Sequence, residues 1–314
     1  MQLYREQLTR RDFLKLATFT ACAVGFGMGK GLLAHAQGLE PSLLIAPDEL
    51  VDRLVPALSG CPSAILAVQN SLRLVDARPS EDFLTSHALT AVDISYPEVT
   101  VELAGVPGMI APPQTIIERL DQAGIDSSLE TIIYSDKGNL WAARLFWILD
   151  YYGHPSVRLL DGGFARWSQD ESMLAVGAPA VTPAAGSFQG QPNPAKIVDA
   201  DWILANLDNP EVLFVDARDV AAYQRGHLPG AVSMPWRENI DWQDESFKPT
   251  GQLFSRFLGG GVVPGKTIIS YCQLGVLSAH NYFVLRQLGY PDVRLYDGSW
   301  ADWSSVPDRP VEKG

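Results

Sequence analysis

Two homologous α/β domains, each a mostly parallel sheet covered by helices, are the fold this sequence predicts. Two observations predict it. The first is a duplication: Leu72–Arg78 (LRLVDAR) recurs 140 residues later as Val212–Arg218 (VLFVDAR), and His87 matches His227 at the same shift. Leu159–Trp167 recurs 136 residues later as Leu295–Trp303, and Ile132–Tyr134 returns near Ile269–Tyr271. Two copies in the same order mean two related domains rather than a solenoid. The second is the alternation of short apolar runs with helical spacing, which implies parallel strands with helices on both faces.

The first element in order is a targeting segment over residues 1–36. Thr9–Lys15 (TRRDFLK) matches a twin-arginine pattern, Leu16–Leu33 is mostly apolar, and Ala34-His35-Ala36 offers the small residues a signal peptidase reads. The expectation is export to the periplasm through the twin-arginine machinery, with cleavage after about Ala36. As a membrane anchor the stretch reads poorly, because it contains Lys30, glycines and threonines. Cys22 as a lipoprotein cysteine is disfavoured by the Phe19-Thr20-Ala21 that precedes it.

Residues 37–175 then form the first copy, 176–196 a linker rich in Ala, Pro and Gly, and 197–314 the second copy. In the second copy, Asp201–Leu207 suits a short helix, and Phe214–Val215 end a buried strand before Asp216. Lys266–Tyr271 reads as another buried strand. Ser278–Leu288 carries apolar residues at helical spacing, and Gly289 stands where a helix stop belongs. Val293–Tyr296 reads as a further strand, and Asp297-Gly298 as a turn.

The composition, 46% hydrophobic and 19% charged over 314 residues, is that of a globular chain. A formal charge of −12 argues against a nucleic-acid partner, which needs a basic face. There is no Cys-x-x-Cys or His-x-x-x-His spacing and no Gly-x-Gly-x-x-Gly or Walker loop, so neither a metal nor a nucleotide cofactor is implied.

The chemistry converges on Cys272. It follows an apolar strand, Gly275 lies in the loop behind it, and a helix comes next. That is the carboxyl end of a strand in a parallel sheet, where ligands bind in open α/β folds. A short loop there aims several backbone N–H groups at one sulfur, and the helix N-terminus adds positive partial charge. Both favour the thiolate, so Cys272 is expected beside a pocket. Cys61 sits between Gly60 and Pro62, a loop context that suggests a structural or incidental role. A Cys61–Cys272 disulfide is the plain alternative in an oxidising compartment, and the two contexts argue against it.

Cys272–Ser278 (CQLGVLS) resembles the active-site loop of the rhodanese family. Val215–Arg218 (VDAR) with Gly226–Val232 (GHLPGAV), and Tyr296–Trp300 (YDGSW), resemble its two signatures. The chain is therefore similar to a tandem-domain rhodanese of the thiosulfate or 3-mercaptopyruvate sulfurtransferase kind. The resemblance implies a five-stranded sheet in each domain and a sulfurtransferase that carries sulfane sulfur on Cys272. In the first copy Ser135 stands at the cysteine position with Asp136 beside it, and Ser86–Ala91 (SHALTA) departs from the signature. A hydroxyl does not carry sulfane sulfur, so the first domain is expected to be structural.

Loop residues Gln273, Leu274, Gly275, Val276, Leu277 and Ser278 are the expected substrate-binding set, with Arg237 as the cation for an anionic donor. Relatives that prefer thiosulfate tend to carry basic residues after the cysteine, and those that prefer mercaptopyruvate tend to carry Gly-Ser. This loop has neither, and the short segment Asp216–Gly226 leaves no room for an arginine-bearing insertion. The expected partners are a small sulfur donor, thiosulfate or a persulfide, and a thiophilic acceptor, with a protein sulfur acceptor left open. A persulfide carrier with little turnover is the second reading. A cysteine phosphatase needs Cys-x5-Arg, and position 278 is serine. Asp216 with Arg218 and His227 read as loop anchors, His280 as surface or packing, and Trp300 and Trp303 as core.

Overall fold

The structure, a computed structural model, describes residues 42–177, 182 and 184–314. The export segment expected at 1–36 lies outside the described residues.

The first domain opens with β1 (Leu44–Ile45), α1 (Pro47–Leu54), α2 (Pro62–Gln69), β2 (Leu72–Asp76) and α3 (Ser80–Thr85). Next come β3 (His87–Ala88), β4 (Val92–Asp93) and a hairpin of β5 (Thr100–Leu103) and β6 (Val106–Ile110). It closes with α4 (Pro113–Gln122), β7 (Glu130–Tyr134), α5 (Leu140–Tyr151), β8 (Val157–Leu160), α6 (Gly163–Trp167) and β9 (Leu174–Ala175). The second domain repeats the plan through β10 (Ile197–Val198), α7 (Ala200–Asn206), β11 (Val212–Asp216), α8 (Val220–Arg225) and β12 (Val232–Ser233). A hairpin of β13 (Ile240–Asp241) and β14 (Ser246–Phe247) follows, then α9 (Thr250–Gly259), β15 (Thr267–Tyr271), α10 (Val276–Gln287), β16 (Val293–Tyr296) and α11 (Ser299–Ser305).

Each domain is built on a five-stranded sheet, ordered β1-β8-β7-β2-β4 and β10-β16-β15-β11-β12, with every pair parallel. The two central strands of each sheet are almost wholly buried, because helices cover both faces. Local chemistry sets the helix ends. Asp199 and Asp219 accept N–H groups of the first turns of α7 and α8, from Trp202 at 2.8 Å and Ala222 at 2.7 Å. Gly289 follows α10 at φ 78°, the left-handed conformation that ends a helix. That helix begins at Val276, two residues before the start expected from its apolar spacing.

Helices α5 and α10 have little polar face because both lie between the domains, buried on nearly every side. They pack on each other, with the rings of Phe146 and Phe283 edge to face at 4.9 Å. These two residues occupy corresponding positions in the two copies, so a pseudo-twofold axis passes between them. The apolar core is continuous from one domain to the other across this contact. Residues 184–196, read as linker, run along the first domain: the Gly186 N–H donates to Asp121 O at 2.8 Å, and Phe188 is buried against His154.

Candidate active site

Strand β15 delivers Cys272 to its carboxyl end, and the chain turns through Gln273-Leu274-Gly275 into α10. The turn needs Gly275, at φ 80°; a Cβ there would lie 2.9 Å from both Arg144 Nη1 and Asp297 Oδ1. The carbonyls of Cys272 and Gln273 accept the N–H groups of Trp300 and Ala301, at 2.9 and 3.1 Å, and so dock the loop on the first turn of α11. The Cys272 N–H donates to Ser299 Oγ at 3.2 Å, and Ser299 donates in turn to Tyr296 O at 2.8 Å. Among the described residues, the amides of Gln273 through Ser278 donate to no protein acceptor. A group of spare N–H donors therefore surrounds the start of α10 behind the thiol, an arrangement suited to an anion.

The Cys272 sulfur is a free thiol and accepts the Ser278 hydroxyl at 3.5 Å. Ser278 is itself pinned, because its carbonyl accepts Ser270 Oγ–H at 2.9 Å. The open pocket expected over the thiol is not formed: Cys272 is 0% exposed. It packs in a cluster with Leu140, Ala217, Trp236 and Val276, and Tyr96, Trp141 and Leu277, half-buried, pack against that cluster. Leu140, Trp141 and Tyr96 belong to the first domain, so the domain interface roofs the sulfur. A cavity of about 270 Å³ lies beside the loop, lined by Gln273, Arg218, Arg225, Trp300 and neighbours, but Cys272 does not line it. Of the expected substrate-binding set, Gln273 is exposed, Leu274 and Leu277 are partly covered, and Gly275, Val276 and Ser278 are buried.

The Arg237 guanidinium lies over the rings of Trp242, at 4.2 Å, and of Trp236, at 5.6 Å, and Trp236 packs in the Cys272 cluster; among the described residues no direct contact joins Arg237 to Cys272 or the loop. The buried cation at the loop is instead Arg144, on α5 of the first domain. It pairs with Asp297 at 2.6 Å, and its Nη1 and Nη2 donate to Gly275 O at 3.4 Å and Gly108 O at 3.1 Å. Asp297 also accepts the Ile110 N–H at 2.8 Å. Neither Arg144 nor Tyr96 nor Trp141 announces itself in the sequence. Their places are set by how two domains pack, and no local motif encodes that. Asp297 was legible as part of the YDGSW signature.

Asp216 and Arg218 form a buried bidentate pair, with Arg218 Nη2 reaching Gly226 O at 2.7 Å, which ties β11 to the turn before His227. Burial, the largest single influence, opposes the Arg218 charge, but the hydrogen bond and charge of Asp216 together with Tyr271 outweigh it and raise its pKa. His227 Nδ1 bonds Tyr223 O at 2.9 Å and anchors the loop as expected. His280 is packing, wholly buried, and Trp303 is core, whereas Trp300 borders the side cavity. In the first domain Ser135 Oγ accepts the Ala142 N–H at 3.1 Å, and the Ser135 N–H is taken by Asn139 Oδ1 at 2.9 Å. The Gly138 N–H goes to Glu245 Oε2 at 2.8 Å. The Leu140 N–H goes to Asp136 O at 3.4 Å, so two of the first-domain loop amides are occupied where their counterparts, Gly275 and Leu277, have no acceptor among the described residues, in keeping with a structural first domain. Cys61, exposed, stands at the cap position of α2 and is not joined to Cys272.

The comparisons agree with this architecture. The Rhodanese-like domain family matches residues 63–170 and again 199–306. The chain is 33% identical over 250 residues to 3-mercaptopyruvate sulfurtransferase of Escherichia coli strain K12, covering 76% of this chain and 87% of the relative. It is 29% identical over 251 residues to thiosulfate sulfurtransferase of Azotobacter vinelandii, covering 77% and 91%. The crystal structure of SseA from Escherichia coli, described as a 3-mercaptopyruvate sulfotransferase with the rhodanese fold, superposes with a TM-score of 0.72 at 27% identity. That match covers 83% of this chain and 99% of the other. With two matched copies, two parallel five-stranded sheets and a cysteine loop in the second, the chain belongs to the rhodanese family of sulfurtransferases.

Proposed function

We propose that the chain transfers sulfane sulfur by double displacement through a persulfide on Cys272. The observation that carries this is the position of Cys272: a free thiol at the carboxyl end of a central parallel strand, held by the Ser278 hydroxyl, beside loop amides with no acceptor among the described residues. The Cys272 thiolate attacks the outer sulfur of thiosulfate, the S–S bond breaks, and sulfite leaves with its electron pair. The Cys272 persulfide anion that remains is stabilised by the loop amides, as in an oxyanion hole. Cyanide or a thiolate then takes the terminal sulfur and regenerates the thiolate. The test is thiocyanate formation from thiosulfate and cyanide, with intact mass of the protein after donor alone. Cys272→Ser is expected to abolish both thiocyanate and the one-sulfur mass increase; activity equal to wild type would refute the proposal.

Mercaptopyruvate as donor is the second reading, favoured by the name of the 33% identical relative. The short run into α8, with Ala222 bordering the side cavity, supports thiosulfate or a persulfide instead. Parallel kcat/KM values for the two donors decide between them. A persulfide that forms on Cys272 without turnover to cyanide would favour a carrier that passes sulfur to a protein acceptor.

We also propose export to the periplasm by the twin-arginine machinery, on the TRRDFLK pattern and the apolar stretch behind it. Replacing Arg10 and Arg11 by lysine is expected to retain the full-length protein in the cytoplasm. A periplasmic product from that variant would refute this.

A further inference from the structure

The loop that carries Cys272 has no cationic side chain, so something else must hold the oxyanion end of a sulfonate donor. Arg144 is close, but Asp297 already neutralises it at 2.6 Å. Arg225 borders the side cavity, which Cys272 does not line. Arg237 faces Trp242. Besides the Ser278 hydroxyl and the loop amides, two neutral donors from the first domain pack against the cluster that holds the thiol. Trp141 packs against the Cys272 cluster, and its indole N–H is buried without an acceptor among the described residues. Tyr96 packs against the same cluster, 5.0 Å from Trp141 between ring centroids. Its hydroxyl makes a long bond, 3.5 Å, to Gly108 O, shares a side-chain hydrogen bond with Thr100, and occupies the space a side chain on residue 108 would fill.

A buried N–H with no partner is costly, and an acceptor supplied by a ligand at the site would offset that cost. Burial raises the Tyr96 pKa, with Arg144 and a Thr100 hydrogen bond opposing and Asp297 and Cys272 adding to the rise, so the phenol keeps its proton at neutral pH. The same group also lies within electrostatic reach of the Cys272 sulfur.

We propose that Tyr96 Oη–H and Trp141 Nε1–H form the subsite for the sulfo group of the donor, and hold it as it departs as sulfite. This rests on the Cys272 persulfide reading and deepens it. In the first half-reaction the thiolate and thiosulfate, three negative charges together, become the persulfide anion and sulfite, again three. The charge moves off the reacting sulfur onto the departing oxygens, where these hydrogen bonds strengthen. The degenerate first domain is then a working half of the site, since it supplies the recognition that the loop lacks.

Tyr96→Phe and Trp141→Phe remove one donor each and keep an aromatic ring in the wall. Persulfide loading of Cys272 is followed by mass with thiosulfate and with a small alkyl hydropersulfide, which has no sulfo group. Each variant is expected to lower kcat/KM for thiosulfate about tenfold, with kcat falling as well as KM rising, and so to lower the thiosulfate-to-hydropersulfide ratio about tenfold. An unchanged ratio, whether both donors fall together or neither falls, would overturn the subsite. Failure of Cys272→Ser to abolish loading by either donor would overturn the underlying reading instead. Sulfite titrated into wild-type protein provides a measurement that needs no variant to fold. It is expected to perturb tryptophan fluorescence saturably, and no saturable change would count against the subsite.

Discussion

Thr90 and Ser299 adopt left-handed backbone at φ 70° and 53°, where their counterparts in the other copy are Gly230 at 69° and Gly163 at 51°. A β-branched residue in that region carries strain on the order of 1 kcal/mol. Thr90→Gly is therefore expected to stabilise the protein by roughly 1 kcal/mol in urea denaturation; destabilisation would mean that its side-chain packing outweighs the strain. Ser299 differs because its hydroxyl holds the Cys272 amide. Ser299→Ala keeps the backbone strain and leaves that buried N–H unpaired, so a loss of about 1–2 kcal/mol and a drop in persulfide formation are expected together. A change in stability with unaltered loading would show that the tie does not position the sulfur. Gly163 permits no such exchange, because a Cβ there would meet Ser135 O at 2.2 Å.

The elements that matter to the site are the cysteine loop, α11 on which it docks, and α5, which reaches it from the other domain. Arg144 on α5 is 1% exposed and Asp297 is 2% exposed, so removing one partner strands a buried charge. Arg144→Met is expected to cost about 3 kcal/mol or more, read by urea denaturation, and the double variant with Asp297→Asn is expected to cost less than Arg144→Met alone. Additive losses would mean the pair is not coupled. Lysine is a poor substitute, since Arg144 reaches Asp297, Gly108 O and Gly275 O with a planar fork. The strands and the Cys272 loop were legible in the sequence because their signals are local. Buried parallel strands read as apolar runs, and a cysteine followed by Gly275 before a helix reads as a turn at a strand end. The roof over Cys272 was not legible. Leu140, Trp141 and Tyr96 look like ordinary core residues until two domains are packed together, and the buried cation at the loop, Arg144, lies far away in the chain.

At the scale of the molecule, the two domains clasp each other about the pseudo-twofold axis. The Ile110 N–H from the first hairpin bonds Asp297 of the second domain, and the Phe247 N–H from the second hairpin bonds Asp161 of the first at 2.9 Å. With one core running through α5 and α10, the chain is expected to unfold in a single transition. That unit has an acid limit set by buried imidazoles. His280 Nε2 bonds Gly138 O of the other domain at 3.0 Å, Asn239 lies 3.2 Å from its Nδ1, and burial pushes its pKa down to about 4. Burial does the same to His154, also to about 4. Unfolded imidazoles titrate near 6.5, so between about pH 6.5 and 4 the unfolded chain binds more protons than the native one, and stability falls as pH falls. Each imidazole contributes a loss on the order of 3 kcal/mol once pH is below 4. Asp136 and Asp161, raised by burial, act in the opposite sense and soften the slope. Urea titrations at pH 7.5, 6 and 5 are expected to show a flat upper range and a progressive loss below 6.5, and His280→Gln is expected to flatten it. A slope unchanged in that variant would assign the acid sensitivity to other groups, and a separate early transition of one domain would break the picture of a single clasped unit.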